Sequence, residues 1–299
     1  MTARVLIVAG SDSGGGAGIQ ADIKTVTMLG GYAATAITAL TVQNTLGVSD
    51  IMPVPPAFVQ AQMRAVLDDL GADAIKIGML GTAAMISAVA EVLAGVTVPI
   101  VVDPVMIAKG GAALLDHGAQ TAMIAQLLPL AALLTPNIPE LAVLTGNDIQ
   151  TEAQAVAAGR LLIAQGVRAV LVKGGHMDGD EAIDWLLTAD LEQRFNAPRI
   201  ISRHTHGTGC TLASAIATSL AQGANLAEAV DRARHYVRAA IKAAPGLGQG
   251  HGPLGHGFAV AGAPVGGAVD GGRLVDKAIP LSSEDREWLG APAVGKEIL

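Results

Sequence analysis

Cysteine, aromatic residues and charged residues are all scarce in this chain of 299 residues. Its single cysteine excludes an internal disulfide and a zinc site built from several cysteines. Three Phe, two Tyr and two Trp provide few platforms on which single-stranded nucleic acid stacks. The formal net charge of -7 gives no general attraction to a phosphate backbone, so we expect no nucleic-acid partner.

Long hydrophobic runs are missing as well. The apolar run near the N-terminus covers only residues 5–9 before Gly10, which is too short for the core of a signal peptide. Residues 25–49 carry no charge, but they include Gly30, Gln43 and Asn44 and would make a poor membrane span. We therefore expect a cytoplasmic protein, in a reducing compartment, with no membrane partner.

What the sequence does contain is aliphatic residues in alternating strand and helix patterns. Hydrophobic residues make up 51% and charged residues 15% of the chain, which indicates a folded, core-rich protein. Apolar runs at 4–9, 74–77, 98–102 and 169–173 indicate buried strands, and helical patterns lie between them. This alternation predicts an α/β fold with a central, mostly parallel sheet flanked by helices on both faces. Residues 181–187 and 190–195 predict an antiparallel pair that follows.

The composition predicts one α/β domain over residues 1–258 and a tail over residues 259–299. Periodicity is lost toward the C-terminus, where Gly, Ala and Pro dominate, and nothing in the tail indicates catalysis. Within the domain, the segment Lys109, Gly110 and Gly111 suits either a flap that closes over phosphates and excludes water or a plain turn.

The strongest local signal is the segment HTHGTGCT at residues 204–211, which runs directly into a predicted helix. Backbone N–H groups at a helix start, unhindered at Gly207 and Gly209, favour an anion such as a phosphoryl group in transfer. Cys210 lies at the same helix start, where the pKa of a thiol is lowered, so it is a candidate base toward a substrate hydroxyl. The alternative is that a lone cysteine is simply a small core residue.

A second glycine-rich loop, residues 10–18, indicates another close approach of the backbone to a ligand. Its glycines do not match the dinucleotide-binding pattern, and no acidic residue follows at the spacing expected for a ribose. The loop also lacks the lysine that ends a P-loop. From its position alone, Asp22 in the following helix is interpreted as a solvated or first-turn carboxylate.

Seven motifs occur together in one order along residues 4–258. They are AGSDSGGGAGIQADIK at 9–24, TALTVQNT at 38–45, KIGML at 76–80, VDPVM at 102–106, TPNIPE at 135–140, KGGH at 173–176 and HGTGC at 206–210. With the ending GHGP at 250–253, this set resembles the bacterial hydroxymethylpyrimidine/phosphomethylpyrimidine kinases of thiamine biosynthesis, a ribokinase-like family.

The resemblance implies a fold, a reaction and an assembly. The fold is a mostly parallel sheet flanked by helices, usually in a homodimer. The reaction uses ATP and Mg²⁺ to phosphorylate the hydroxymethyl group of 4-amino-5-hydroxymethyl-2-methylpyrimidine, and a second round converts the monophosphate to the diphosphate.

Site residues also follow from the resemblance. The substrate-binding residues are expected to be Gln43, Asp22, Gly10, Met79 and Val105. Cys210 is expected to act as the base, with an anion hole for the transferred phosphoryl group formed by Gly207, Thr208 and Gly209. The primary amide of Gln43 suits an aminopyrimidine edge because it offers one acceptor and two donors.

The nucleotide side of the site is implied at other strand ends. Lys173 resembles the lysine near the ATP phosphates, and Asn137 and Glu140 resemble residues on the Mg²⁺ side. Glu140 and Asp103 are the candidate Mg²⁺ ligands, acting through water because Mg²⁺ tends to retain it. His206 is interpreted as lending positive charge or as bonding a neighbouring backbone group.

Three alternatives to a pyrimidine kinase remain open at this point. A pyridoxal or pyridoxine kinase shares the Gly-Thr-Gly-Cys loop, although Gln43 and Met79 favour the pyrimidine. A non-catalytic pyrimidine-binding relative would keep the pocket without turnover, and the intact loop, Glu140 and Lys173 argue against it. An oxidoreductase with a dinucleotide fold is disfavoured by the failed glycine pattern.

Overall fold

The computed structural model describes residues 2–106, 117–177, 179–258, 269–270 and 273–274. The chain divides into two compact units, Met1–Phe258 and Ala259–Leu299. In the second unit, Val269–Asp270 pairs antiparallel with Arg273–Leu274. The predicted flap at Lys109 to Gly111 lies outside the described residues.

The first unit alternates strands and helices for most of its length. The strands are β1 (Arg4–Asp12), β2 (Tyr32–Asn44), β3 (Gly47–Pro53), β4 (Ala74–Ile77), β5 (Ile100–Val102), β6 (Leu133–Leu134), β7 (Ala169–Lys173), β8 (Glu181–Thr188) and β9 (Glu192–Pro198). The α-helices are α1 (Gly18–Met28), α2 (Pro56–Asp69), α3 (Ala83–Leu93), α4 (His117–Ala122), α5 (Ile138–Thr145), α6 (Glu152–Ala164), α7 (Thr208–Ala221) and α8 (Leu226–Lys242). A π-turn at Met123–Leu127 and two short 3-10 turns, Leu128–Leu130 and Gly174–His176, complete the described elements.

These strands form one sheet in the order β3-β2-β1-β4-β5-β6-β7-β8-β9. Neighbours from β2 to β7 run parallel, whereas β3 is antiparallel to β2, and β8 and β9 add an antiparallel extension beyond β7. The predicted parallel sheet and the predicted antiparallel pair are therefore confirmed. The short edge strand β3 was not indicated by the apolar pattern, because most of its side chains are exposed.

Helices cover both faces of this sheet, and strand β1 shows why. Its side chains alternate between two cores, with Leu6 and Val8 packed on one face and Val5 and Ile7 on the other. A strand that is buried on both faces has no polar side, so its sequence is apolar throughout. Each fully buried aliphatic side chain contributes about 1.5–3 kcal/mol.

Helix boundaries follow local capping chemistry. The Thr82 hydroxyl accepts a hydrogen bond from the Met85 N–H at the start of α3. Helix α5 begins with a reciprocal capping box between Asn137 and Glu140 and ends at Gly146 in the left-handed region, with φ 69°. Because Asn137 and Glu140 follow strand β6, this cap also holds two polar side chains at the sheet edge.

The carboxyl ends of the parallel strands share that edge. Strand β1 ends at Asp12, Asp103 follows β5, and β7 ends at Lys173. The sheet therefore gathers polar residues from distant parts of the chain at one edge.

No helix among the described residues is long and apolar enough to cross a bilayer.

Candidate active site

A cavity of about 550 Å³ opens at the carboxyl edge of the sheet. The structure brings most of the sequence-predicted site residues into its wall: Gly10, Gln43, Met79, Asp103, Val105, Asn137, Glu140, Lys173, Gly207, Thr208, Gly209 and Cys210. Asp22 is not part of the described wall, whereas Lys76, Asp12 and His206 are lining residues that the sequence analysis gave no definite role.

The N-terminus of α7 forms one wall of the cavity. Gly207 caps this helix with φ 85°, in the left-handed region, and a Cβ there would lie 1.8 Å from the Gly16 carbonyl oxygen. A Cβ at Gly209 would lie 3.3 Å from Asp103 Oδ2 and 3.4 Å from Lys173 Nζ. The first N–H groups of a helix have no intrahelical acceptor, so this end of α7 offers donors to an anion beside the Asp103–Lys173 pair.

Cys210 is partly exposed, on the cavity wall in the first turn of α7. The expectation that its position lowers the thiol pKa is wrong for the unliganded chain: burial raises the pKa of Cys210 to about 11. Lys76 and a backbone hydrogen bond from Gly18 act in the opposite direction, while the carboxylates of Asp22 and Asp103 add to the rise. Desolvation therefore outweighs the stabilisation of the thiolate by Lys76 and Gly18.

Asp22 and Lys76 form a fully buried ion pair behind the cavity wall. Lys76 Nζ lies 2.8 Å from Asp22 Oδ2, and both side chains have no exposed surface. The Ser214 hydroxyl donates to Asp22 Oδ1 at 2.7 Å. Burial alone would lower the pKa of Lys76, but Asp22, Cys210 and Asp103 raise it above its ordinary value, so the ammonium stays charged.

The interpretation of Asp22 as a solvated carboxylate is wrong, because 54 residues further along the chain a lysine points at it from β4. Lys76 itself was not assigned a role. The signal was present in the sequence, since the strand AIKI places one lysine in an otherwise apolar run. A buried lysine needs a carboxylate partner.

Lys173 gathers the polar groups on the other side of the cavity. Its Nζ lies 3.0 Å from Asp103 Oδ1 and 3.9 Å from Glu140 Oε2. Burial raises the pKa of Glu140 to about 7, despite the nearby Lys173 and the N–H of Asn137, which donates to Glu140 Oε2 at 2.8 Å. Thr135 Oγ1 lies 3.3 Å from Asp103 Oδ1. One cation thus stands between two carboxylates near the start of α7.

Gln43 belongs to a third polar group, which connects β2 to the loop before α7. Its Nε2 lies 3.2 Å from His206 Nε2, and His206 Nε2 lies 2.9 Å from Asp12 Oδ2. The expectation that the His206 ring bonds a neighbouring backbone group is wrong, because its ring contacts two side chains that are far away in sequence. The backbone N–H of His206 donates to the Gly252 carbonyl at 3.1 Å.

This chain is similar to known proteins both in amino-acid sequence and in fold. A family model described as phosphomethylpyrimidine kinase matches residues 12–255. The thiamine biosynthesis bifunctional protein ThiED of Geobacter sulfurreducens is 55% identical over 253 residues, which is 84% of this chain and 52% of that protein. The chain thus spans about half the length of this relative.

Two further similarities cover nearly whole proteins. The hydroxymethylpyrimidine/phosphomethylpyrimidine kinase of Streptomyces coelicolor is 49% identical over 256 residues, 86% of this chain and 95% of that one. The solved structure of an ADP complex of Bacillus subtilis pyridoxal kinase has a TM-score of 0.81 at 34% identity, over 87% of this chain and 99% of that chain. The predicted fold class and the resemblance are confirmed: the chain belongs to the phosphomethylpyrimidine kinase family.

Proposed function

We propose that this chain is an ATP-dependent kinase of thiamine biosynthesis. It phosphorylates 4-amino-5-hydroxymethyl-2-methylpyrimidine and then converts the monophosphate to the diphosphate. One observation carries the proposal: a single cavity holds the Cys210 thiol, the N-terminus of α7 and the amide of Gln43. The thiol supplies a base for a substrate hydroxyl, and the N-terminus of α7 supplies a site for a phosphoryl group. The amide supplies hydrogen-bonding groups for the edge of a heteroaromatic ring.

Cys210 acts as the base. In the transfer, the substrate oxygen forms a bond to phosphorus, the bond from phosphorus to the leaving oxygen of ADP breaks, and Cys210 Sγ takes the hydroxyl proton. With a pKa of about 11, the Cys210 thiol is protonated near neutral pH, so it accepts the hydroxyl proton only after it has lost its own. The Lys76 ammonium is the group that favours this thiolate.

The anion hole is formed by Gly207, Thr208 and Gly209, whose backbone N–H groups lie at the positive end of α7. Charge on the transferred phosphoryl group is spread over its outer oxygens, so fixed donors stabilise it without reorganisation. Lys173, close to Gly209, adds a cation at the same place.

On the substrate side, Gln43 reads the pyrimidine edge, while Gly10, Met79 and Val105 shape the ring pocket. Gly10 leaves room for the Met79 methyl, because a Cβ at position 10 would lie 2.5 Å from Met79 Cε. Asp22 supports this pocket from behind by fixing Lys76, rather than by touching the ring.

On the nucleotide side, Lys173, Asn137 and Glu140 bind ATP, and Asp103 and Glu140 hold Mg²⁺ through water. No group of three or more His, Cys, Asp or Glu side chains within the described part of the chain is arranged to hold a metal ion. Two carboxylates at a phosphate site fit Mg²⁺, which keeps several waters and binds mainly substrate phosphates. When bound, the ion neutralises charge on the phosphates of the nucleotide.

The wider context of the enzyme is also proposed. The kinase domain comprises residues 1–258, and residues 259–299 form a non-catalytic tail. ATP and a free thiol at Cys210 both suit the cytoplasm. The chain forms a homodimer through β2 and β3, where Leu40, Val42 and Met52 are 45%, 60% and 68% exposed.

A competition assay tests the reaction. The protein is incubated with Mg-ATP and equal amounts of the hydroxymethylpyrimidine and pyridoxal, and products are identified by mass spectrometry. We expect pyrimidine monophosphate followed by diphosphate. The matched control Cys210→Ala should lower turnover by about 10²–10⁴-fold, the usual contribution of a general base. A contaminating kinase would be unaffected by this substitution, so the drop assigns the activity to this chain.

Pyridoxal kinase is the second candidate, because a solved structure of that name has the same fold. Pyridoxal phosphate as the main product would overturn the proposed substrate and favour this candidate. No product from either compound would leave a pyrimidine-binding protein without turnover.

A further inference from the structure

The carboxylate of Asp12 organises the first glycine-rich loop. Its Oδ1 accepts the Gly14 N–H at 2.8 Å, and its Oδ2 accepts the N–H groups of Gly16 at 3.0 Å and Ala17 at 2.8 Å. Asp12 is only 3% exposed. Burial opposes its charge, but the hydrogen bonds from His206 and the loop keep the pKa of Asp12 below its ordinary value. The carboxylate is therefore an acceptor at each contact.

The charge on Asp12 determines which ring atom of His206 carries hydrogen. His206 Nε2 lies 2.9 Å from Asp12 Oδ2. An ionised carboxylate has no hydrogen to give, so Nε2 must be the donor, whether the ring is neutral or protonated. This result depends on the geometry of the pair and not on the charge of the imidazole.

The same ring atom faces the terminal amide of Gln43. The terminal amide atom near His206 Nε2 is Gln43 Nε2, at 3.2 Å, which would set two donors against each other. On the opposite side, Thr41 Oγ1 lies 3.2 Å from Gln43 Oε1 and 2.9 Å from the Ser11 carbonyl oxygen, and its single hydrogen serves only one of these two acceptors. The other contact then sets two acceptors against each other.

Turning the amide by 180° resolves both contacts. The nitrogen and oxygen of a glutamine amide have nearly the same shape, so the hydrogen-bond partners decide which is which. With Oε1 toward His206 and Nε2 toward Thr41, the amide donates to the Thr41 oxygen and leaves the Thr41 hydrogen to Ser11. The single hydrogen on His206 Nε2 is then shared between Asp12 Oδ2 and Gln43 Oε1. No other side chain has to move.

We propose that Asp12 and His206 are a positioning pair that holds the Gln43 amide in this order, carbonyl toward His206 and amine toward Thr41. The second hydrogen of the amine and the second lone pair of the carbonyl then read the substrate. This inference rests on the proposed function for the identity of that substrate, but not for the amide order itself.

The fixed order makes the site selective for one arrangement of donor and acceptor. An aminopyrimidine presents a ring nitrogen that accepts, beside an amino group that donates. The corresponding 4-oxo compound presents the reverse arrangement. A site built to pair hydrogen-bonding groups rejects a mismatched analogue by up to about 10⁴-fold, because its own polar groups are left without partners.

Neutron crystallography of the unliganded, deuterium-exchanged protein tests the order directly. We expect deuterium on His206 Nε2 and on the Gln43 atom nearest to Thr41. Deuterium on the Gln43 atom nearest to His206 would overturn the proposal. This measurement requires no turnover, so it is independent of whether the pyrimidine is the substrate.

A kinetic comparison tests the consequence. We measure kcat/KM for the 4-amino and 4-oxo pyrimidines in the wild type, in His206→Leu and in the matched variant His206→Gln, which keeps a donor. In His206→Leu the amide is free to turn, so the preference for the amino compound should fall at least about tenfold, the worth of one hydrogen bond. His206→Gln should retain most of the preference.

A merely structural role for His206 would lower kcat/KM for both compounds equally and leave their ratio unchanged, which would overturn the proposal. If the wild type phosphorylates neither compound, the proposed function fails. In that case the neutron result still decides the amide order.

Discussion

At the residue scale, the site combines charges that water does not reach. Lys76 and Asp22 are completely buried, and Lys76 is the cation that favours the thiolate of Cys210. Such a pair is costly to desolvate and contributes little net stability, but leaving one partner alone is much worse. The pair therefore makes sense as a fixed charge behind the cavity wall rather than as a source of stability.

Removing one member of this pair should destabilise the fold. Lys76→Met leaves the Asp22 carboxylate buried without its cation, and we expect a loss of about 3–5 kcal/mol in the free energy of unfolding, measured in urea. The double variant Asp22→Asn with Lys76→Met should recover most of this loss. A loss below about 1 kcal/mol for the single variant would contradict the buried pairing.

The titration of Cys210 can be followed by alkylation, because Cys210 is the only cysteine in the sequence. Only the thiolate is alkylated, and a pKa of about 11 leaves the thiolate fraction rising with pH throughout the neutral range. We expect the rate of iodoacetamide labelling to rise about tenfold per pH unit between pH 7 and 9. Labelling is measured by intact mass.

A short unstructured peptide with one internal cysteine is the reference for this experiment, since the labelling rate of an ordinary peptide thiol levels off near its pKa of about 8.5. A labelling rate for Cys210 that levels off below that pH would show that the helix start outweighs burial after all.

At the element scale, the start of α7 depends on a glycine in an unusual conformation. Gly207 has φ 85°, and its Cα lies so close to the Gly16 carbonyl that no side chain fits. This contact holds the loop before α7 against the first glycine-rich loop. Two loops that are far apart in sequence thus form one surface of the cavity.

Gly207→Ala should therefore disturb both stability and turnover. We expect a loss of about 3 kcal/mol, from the left-handed conformation and from the clash with Gly16, together with a large drop in kcat. Gly223→Ala is the matched control, because Gly223 has φ 89° just beyond the C-terminal end of α7, but a Cβ there would meet nothing within 4 Å.

The control should lose only about 1–2 kcal/mol and keep its turnover. Equal effects at the two glycines, measured by urea unfolding and by product formation, would contradict the importance of the contact with Gly16.

At the scale of the whole molecule, the sheet order decides where polar groups meet and which apolar surface stays uncovered. Strand β3 closes one edge, and Leu40 stands opposite Met52 in the β2–β3 register. Val42 lies two residues beyond Leu40 and so on the same face. These three exposed side chains form the surface that we assign to the homodimer.

Val42→Glu should break this dimer. Because a charge is costly to bury at an apolar interface, we expect the mass measured by light scattering to fall from twice 30.1 kDa to 30.1 kDa. Leu161→Glu, which changes an exposed leucine on α6, is the matched control and should remain dimeric. A monomeric wild type would contradict the proposed assembly.

The tail should be dispensable for chemistry. A chain that stops after Phe258 keeps every described residue of the cavity wall and is expected to make the same products at the same rate. A chain that stops after Ala244 should lose stability, since it removes buried Leu254 and His256, and His256 Nε2 lies 2.9 Å from Thr211 Oγ1 beneath the start of α7. Loss of turnover in the variant that ends at Phe258 would assign the tail a catalytic role.

Most of the strands and helices and the parallel sheet could be predicted from local patterns, because apolar runs mark buried strands and parallel strands bring their carboxyl ends to one edge. Strand β3, whose side chains are mostly exposed, could not. Most of the residues around the cavity were predicted from the resemblance of the seven motifs to a known family and not from these patterns. The motif HGTGC likewise predicted that Gly207, Gly209 and Cys210 would stand at a helix start, as they do in α7.

The electrostatics of the site, in contrast, could not be predicted from the sequence. The partner of Asp22 is 54 residues away and the partner of His206 is 194 residues away, so no local pattern indicated either contact. The pKa of Cys210 is raised because burial, which depends on the whole fold, outweighs the attraction of the Lys76 ammonium for the thiolate. Chemistry that depends on neighbours in space is set when the chain packs, and spacing along the sequence does not contain it.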